Sequence, residues 1–477
     1  MPKRYLKSIG AYLPLLRLER KEAAAALGWS GLGGPKAGRR SVAGWDEDAL
    51  TMAIEAARGT VASNLPWSVV FASTSAPFRE RLQGSVLCEA LGLSGNVSAA
   101  DVAGSRRCAV SALRRALIEG QGDTLIAAGE KRHTAPGSSL QLAWGDGAAA
   151  ALVSDEGFAE LIGEATLNAD LVDIYVSEDR RAPYQSEERF IRDEAVGMVL
   201  APAIRGACDK AGIEPAEIAF AAVHEPVAGT WKLLAGAVGL KAPNLCEEVA
   251  TAAGDLGSAH ALFGLALASE RAKPGDIVLV AGFGSGADVL LFRMTSAPPM
   301  AGSASDALTR GVSTANYMRF LSLAGALSLD WGPRSEVDPK TAASVLARHG
   351  RDMHGFVGGR DSRGNVQFPK TLVPVSPDAT GPEQLEDVPL ADVPARIVSI
   401  ATDRLNFTPD PPFYFGLVQF DNGARVAMEL RDVEASVPKV GDSLRMRFRI
   451  KSIDRKRGFR TYFWKAAPAE RPLLETV

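Results

Sequence analysis

Few residues in this chain are of types that readily do chemistry. Five histidines and four cysteines are spread over 477 residues, and no two cysteines stand as CxxC. The stretch AGSRRCAVSALRRAL (103–117) places Arg106 and Arg107 just before Cys108, at the start of a predicted helix. The first turn of a helix disfavours cations by about 0.3–1 kcal/mol. Two arginines there need solvent, or an anion between them and the helix terminus, such as a substrate carboxylate, a phosphate or a partner's acidic side chain. If Cys108 shares that site, the same charges lower its pKa and raise its thiolate fraction. If it does not, it is a small apolar helix residue. His224 ends the apolar run IAFAAVH (218–224), where an imidazole can hydrogen-bond a ligand or move a proton. Asp255, in GDLG, is either a base or a carboxylate capping the helix near 258. The glycines of Gly282-Phe283-Gly284-Ser285-Gly286 permit positive φ and close approach of backbone to a ligand.

The elements that must position these groups alternate in type. SVVFAST (68–74), DTLIAAG (123–129), AAALVSD (149–155), IAFAAVH (218–224) and DIVLVAG (276–282) read as buried strands. Ala-rich helical stretches lie between them, which predicts α/β layers with mostly parallel strands. The pattern occurs twice. Helices at 47–58 and 109–120 precede SVVFAST and GDTLIAAG; helices at 198–211 and 258–271 precede IAFAAVH and GDIVLVAG. GDGAAAALV (145–153) closes the first copy and GFGSGADVLLF (282–292) the second. The halves are therefore read as 1–165 and 166–295, two copies of one unit packed as a pseudo-dimer. A Ser/Ala/Pro/Gly-rich linker spans 296–314, a helical segment and a hairpin span 315–391, and five short β-like runs span 392–468.

The bulk composition fits a globular enzyme, with 46% hydrophobic and 23% charged residues. A net charge of −3 argues against nucleic acid as the main partner. Four cysteines without a framework fit a reduced, cytoplasmic setting. The basic start, MPKRYLKSIGAYLPL, lacks a long apolar run, so neither a signal peptide nor a membrane span is expected.

Residues 4–295 resemble the thiolase superfamily, and most of all its 3-hydroxy-3-methylglutaryl-CoA synthase and ketoacyl synthase III branch. The resemblance rests on IGAYLPLLRL near the start, WGDGAAAALVSDE (144–156), VHEPVAGTWKLLAGAVGL (223–240) and GDLGSAHALFGLALASERAKPGDIVLVAGFGSGAD (254–288), in that order. It implies a five-layered αβαβα fold, a homodimer, and chemistry on acyl-CoA thioesters used as substrate, with no permanently bound cofactor. In that family a cysteine at a helix start takes the acyl group, a histidine and an asparagine polarise the thioester, and a glycine loop serves an oxyanion. His224 matches the histidine. Asp255 falls at the asparagine, and an ionised Asp only accepts hydrogen bonds. Counting from Asp101 or back from Leu113, the cysteine position falls on Arg106; Cys108 lies two residues later. Thr74-Ser75-Ala76 occupies the place of the synthases' catalytic glutamate. The resemblance thus implies His224, Asp255 and Cys108 as catalytic candidates, with Arg106, Arg107, Ser75, Gly284 and Ser285 as contacts to substrate or CoA. His133 and His260 flank the same region. His260 could line the pocket, but a structural role is expected for both.

The segment 350–467 is similar to acyl-CoA-associated OB (oligonucleotide/oligosaccharide-binding) domains that carry a zinc ribbon and accompany thiolase-type enzymes. Gln367-Phe368-Pro369 and the barrel runs ARIVSIATD, GLVQFDNGARV and VGDSLRMRFRI carry the likeness. The ligand positions hold Asp361, a residue near Arg363 or Gly364, Pro374 and Ala379, and no cysteine follows Cys246, so no zinc is expected. The basic run RMRFRIKSIDRKRGFR (445–460) reads as a solvated face, or as a surface for CoA phosphates or for docking the thiolase-like body. The leading functional reading is an enzyme that makes or breaks a C–C bond beside a CoA thioester. With Cys108 as nucleophile this would be acyl transfer; without it, aldol or retro-aldol chemistry. The alternatives are a non-catalytic acyl-CoA binder, or partner of an active thiolase, and a nucleic-acid-binding OB protein.

Overall fold

Strict alternation along each strand decides which helices it meets, because successive side chains point to opposite faces. The computed structural model describes residues 3–31, 36–61, 65–299, 303–332 and 342–474. The first half holds β1 (Tyr5–Tyr12), α1 (Ala49–Arg58), β2 (Ser68–Ala72), α2 (Gln83–Ala90), β3 (Ser98–Val102), α3 (Cys108–Ile118), β4 (Thr124–Glu130) and β5 (Gly147–Ser154). Its strands lie in the order β3-β2-β4-β5-β1, with β2 parallel to both β3 and β4. The second half repeats the plan with β6 (Ala159–Asn168), α4 (Ala201–Ala211), β7 (Ile218–Val223), α5 (Thr230–Val238), α6 (Leu245–Ala252), α7 (His260–Arg271), β8 (Ile277–Phe283) and β9 (Gly286–Met294). Its order is β7-β8-β9-β6. The counterpart of β3 shrinks to a single parallel bridge, Ala221 to Asn244. GDTLIAAG and GDIVLVAG thus become β4 and β8, equivalent strands of the two copies. The copies join where Tyr5 and Leu6 pair with Glu160 and Ala159, giving one nine-stranded sheet.

The layering follows from the alternation. Leu125 and Ala127 of β4 pack with α1 and α2. Ile126 and Ala128 face inward onto α3 and α7, where Val278 and Val280 of β8 meet them from the other half. Leu279 and Ala281 of β8 turn outward onto α4 and α5. The order is α1/α2, half-sheet, α3/α7, half-sheet, α4/α5, the five layers expected of a thiolase-like fold. Every residue of α7 from His260 to Ser269 is buried, as a helix between two sheets must be. Gly264 permits that approach, since a Cβ there would sit 2.6 Å from Cys246 Sγ.

The segment between body and barrel is more ordered than its composition predicts. Ala304–Thr309 form a helix whose first N–H groups are capped by Glu270, and Val312–Thr314 pair in parallel with Leu16–Leu18. The expected helical region resolves into Tyr317–Leu323 and α8 (Ala343–His354).

The C-terminal strands are β10 (Ala395–Asp403), β11 (Phe413–Phe420), β12 (Arg425–Glu429), β13 (Ser443–Asp454) and β14 (Phe459–Pro468), ordered β12-β11-β10-β13-β14. A parallel bridge from Leu430 to Ala466 brings the two edges together, consistent with a small OB-like barrel. Its core residues, among them Phe420, Phe448 and Trp464, run continuously into α1 and α2 of the first half. The basic run at 445–460 is split by position along one face of β13, since Arg445, Arg447 and Arg449 all point to the same side of the strand. Arg447 and Arg449 turn inward, to Glu55 and Glu47 of the body, while Arg445 is exposed. In the ribbon remnant, Asp361 accepts the backbone N–H groups of Arg363 and Asn365. Gln367 ties down Thr371, Val373 and Val375. Hydrogen bonds hold the loops there, and among the described residues no group of three or more His, Cys, Asp or Glu side chains is placed to hold a metal ion. Nor is any helix among them long and apolar enough to cross a membrane.

Candidate active site

Two loops, one from the end of β7 and one before α7, bring the chemistry together. His224 directly follows β7, its N–H bonded to Ala281 O of β8 at 2.9 Å. Asp255 is clamped by the first half: its N–H reaches Ala143 O and its carbonyl accepts from Gly145 N, both at 2.9 Å. His224 Nε2 lies 3.1 Å from Asp255 Oδ1, off the line of an aligned hydrogen bond. Both side chains line one cavity of about 580 Å³, together with Arg106, Glu225, Cys246 and His260.

Asp255 is saturated. Oδ1 accepts from Gly257 N at 2.7 Å and from an Arg132 terminal nitrogen at 3.1 Å, and Oδ2 from Arg106 at 3.3 Å. Burial pushes its carboxyl up, but His224 and Arg132 outweigh that and hold it well below the usual carboxylate range. Asp255 is therefore an ionised, fully committed acceptor. His260 is the second imidazole of the cavity, 4.9 Å from His224 between ring centroids. Burial first, and then the charge of His224, drive it down to about 3, so the ring is neutral. Its Nδ1 accepts the Leu256 N–H at 3.1 Å, which leaves the proton on Nε2.

Arg106 does occupy the helix start, and the anions that its position demands are internal: Asp173 and Asp255. Arg107 turns away, to Asn168 Oδ1 at 2.7 Å and Leu167 O at 3.3 Å. Cys108 is 5% exposed and does not line the cavity. Its thiol is pushed up to about 12, by burial first and Glu130 second. This is the reverse of the depression expected from two neighbouring arginines, because both guanidinium groups are spent elsewhere. Ser75 also lies off the cavity; it donates to Glu130 Oε2 and accepts from Lys131 N. The 282–286 loop packs on the start of α3 instead of opening to the cavity. Gly284 O accepts from Ser105 Oγ at 3.0 Å, and Ser285 takes a φ of 49°. His133 likewise does not line the cavity, whereas His260, expected to be structural, does.

Sequence reasoning missed several groups. Glu130, fully buried at the end of β4, accepts from Thr74, Ser75 and Ser258. Arg132, Asp173 and Cys246 are the others, and only Glu225, adjacent to His224, carried a positional signal. Cys246 Sγ donates to His260 O at 3.7 Å, and burial first raises it well above the ordinary thiol value.

No family model matches the chain. The hydroxymethylglutaryl-CoA synthase of Aeropyrum pernix is 30% identical over 295 residues, covering 58% of this chain and 81% of that relative. The synthase of Pyrobaculum neutrophilum is 32% identical over 297 residues, covering 59% and 84%. Among solved structures, 3-oxoacyl-(acyl carrier protein) synthase III of Pseudomonas aeruginosa superposes with a TM-score of 0.54 at 18% identity, over 62% of this chain and all of that one. MvaS in complex with 3-hydroxy-3-methylglutaryl coenzyme A gives 0.54 at 16% identity, over 71% and 95%. The two structures bear on the fold alone.

Proposed function

Because the chain belongs to the hydroxymethylglutaryl-CoA synthase family, we propose that its cavity takes an acyl-CoA thioester and that it makes or breaks a C–C bond at the carbon beside the thioester carbonyl. The coenzyme A thioester is substrate and not a resident cofactor. The observation that carries the site is the convergence of His224, Asp255 and His260 on one cavity. His260 Nε2–H and the His224 imidazole are the donors available to a thioester oxygen, with the Asp255 carboxylate 3.1 Å from His224 Nε2. As negative charge builds on that oxygen, N–H donors in a water-poor site stabilise it.

The route does not run through an acyl-cysteine at the start of α3. Arg106 fills that place, locked between two carboxylates, and the Cys108 thiol is buried off the cavity. Aldol or retro-aldol chemistry remains. In cleavage, a β-hydroxyl loses its proton, the Cα–Cβ bond breaks with its electron pair flowing into the enolate, and the α-carbon is reprotonated. Condensation is the reverse, and no further reactant is needed. We also propose a cytoplasmic homodimer formed through the thiolase-like body.

The test is incubation of the protein with acetyl-CoA in D2O. The expected result is deuterium at the thioester α-carbon, lost in His224→Ala and kept in Cys108→Ala, with no acetyl adduct on the intact protein by mass spectrometry. An acetyl adduct on Cys108, with exchange lost in Cys108→Ala, would overturn the non-covalent route.

A further inference from the structure

The proposed chemistry needs a base at the α-carbon, and the two expected sources are closed. Thr74-Ser75-Ala76 offers no carboxylate, and Asp255 is saturated by Arg106, Arg132 and a backbone N–H. A second carboxylate stands in the same cavity. We infer that Glu225 is the general base that removes the α-proton, an assignment that rests on the functional reading above.

Glu225 is the residue after His224 and lines the cavity with it. One carboxylate oxygen, Oε2, accepts the Trp231 N–H in the first turn of α5 at 2.9 Å. That bond fixes the carboxyl at the cavity wall, where the backbone N–H groups of Thr230 and Gly229 also face it. Among the described residues Glu225 has no ion-pair partner. The charged or titratable groups that share its cavity are Glu247 and Cys246 from α6, Asp255, His224, His260, Arg106, Glu188 and Arg20, and both arginines are taken up by other acceptors. Burial raises the Glu225 carboxyl to about 7, with Glu247 adding to the rise and the Trp231 N–H opposing it. Of the four carboxylates that line the cavity, Asp255 and Glu225 are thus driven apart, one ionised and one titrating near neutrality, a pattern that separates a fixed anion from a proton-moving group. A base is most effective when its pKa lies near the working pH.

In the step, the Glu225 carboxylate takes the α-proton. The C–H electron pair forms the C=C bond of the enolate, and the carbonyl pair moves onto the oxygen held by the imidazole N–H donors. Return of a proton from the Glu225 carboxyl reverses the step, and in D2O that proton is a deuteron.

The experiment uses the full chain and acetyl-CoA in D2O from pH 5 to 9. The unaltered protein should exchange with a rate that rises through about pH 7 and then levels, because the carboxylate is the active form. Glu225→Gln keeps an oxygen for the Trp231 N–H, and should lower exchange at least about 100-fold with CoA binding within about threefold and an unchanged melting temperature. Glu225→Asp should recover part of the rate and keep a pH midpoint. Exchange by the unaltered protein that survives in Glu225→Gln overturns this assignment alone. No exchange by the unaltered protein at any pH overturns the reading in the preceding subsection and this one with it.

Discussion

Replacing Glu55 by Gln should loosen the barrel from the body by a calculable amount. Glu55 lies on α1, its side chain 1% exposed and 2.6 Å from an Arg447 nitrogen on β13. It also accepts the Phe448 N–H at 2.8 Å. Burial pushes its carboxyl up, but Arg447 and then Arg58 outweigh this and bring it from 4.5 down to about 2. At about 1.4 kcal/mol for each pH unit, that displacement corresponds to roughly 3 kcal/mol of native stability. The cost of leaving a buried cation without its partner, about 3–5 kcal/mol, points to the same size independently. The sign follows from the depressed value. The contribution is complete above the unfolded pKa of 4.5 and fades as the pH falls towards 2. Urea unfolding can be followed through Trp464, whose Nε1 donates to His354 O at 2.6 Å and whose ring lies 4.7 Å from the Arg58 guanidinium. Glu55→Gln should lose about 3 kcal/mol at pH 7, and the gap to the unaltered protein should narrow on acidification below pH 4.5. A loss under about 1 kcal/mol at pH 7, or a gap that does not change with pH, would refute the reasoning.

Two further outcomes are expected. With its thiol at about 12 and 5% exposed, Cys108 should resist iodoacetamide at pH 8 in the native protein and react after denaturation; rapid native alkylation, read by peptide mass, would contradict its placement. Gly145→Ala should displace the Asp255 clamp, because a Cβ there would fall 2.0 Å from Ala253 O; a stability loss of about 1–3 kcal/mol and reduced α-proton exchange should appear together, by thermal melting and NMR.

The periodic elements were readable because each strand and helix shows its buried face in its own letters. The two Ala-rich βα copies, with GDTLIAAG and GDIVLVAG at equivalent places, became β4 and β8 of one layered fold. His224 and Asp255 could be picked out from motif and spacing. The Ser/Ala/Pro/Gly-rich stretch read as a linker carries the short helix Ala304–Thr309, from which Ala304 and Leu308 pack into the central core. A structural role is expected for His260 from the sequence, and no local letter shows that Leu256 N–H binds its Nδ1 or that the ring lines the cavity.

By itself, then, the sequence determined the duplicated α/β body, the run of C-terminal β-strands, and the loops on which the candidate side chains sit, since burial patterns repeat at 2.0 and 3.6 residues whatever the partner. Only the tertiary structure decided where each charge is spent. Arg106 answers to Asp173 and Asp255, Arg107 to Asn168, and Cys108 to Glu130 and a buried wall. Those partners lie 22 to 149 positions away in the chain. A side chain's protonation and reach depend on the charges and solvent within a few ångströms of it, and only folding brings those neighbours together.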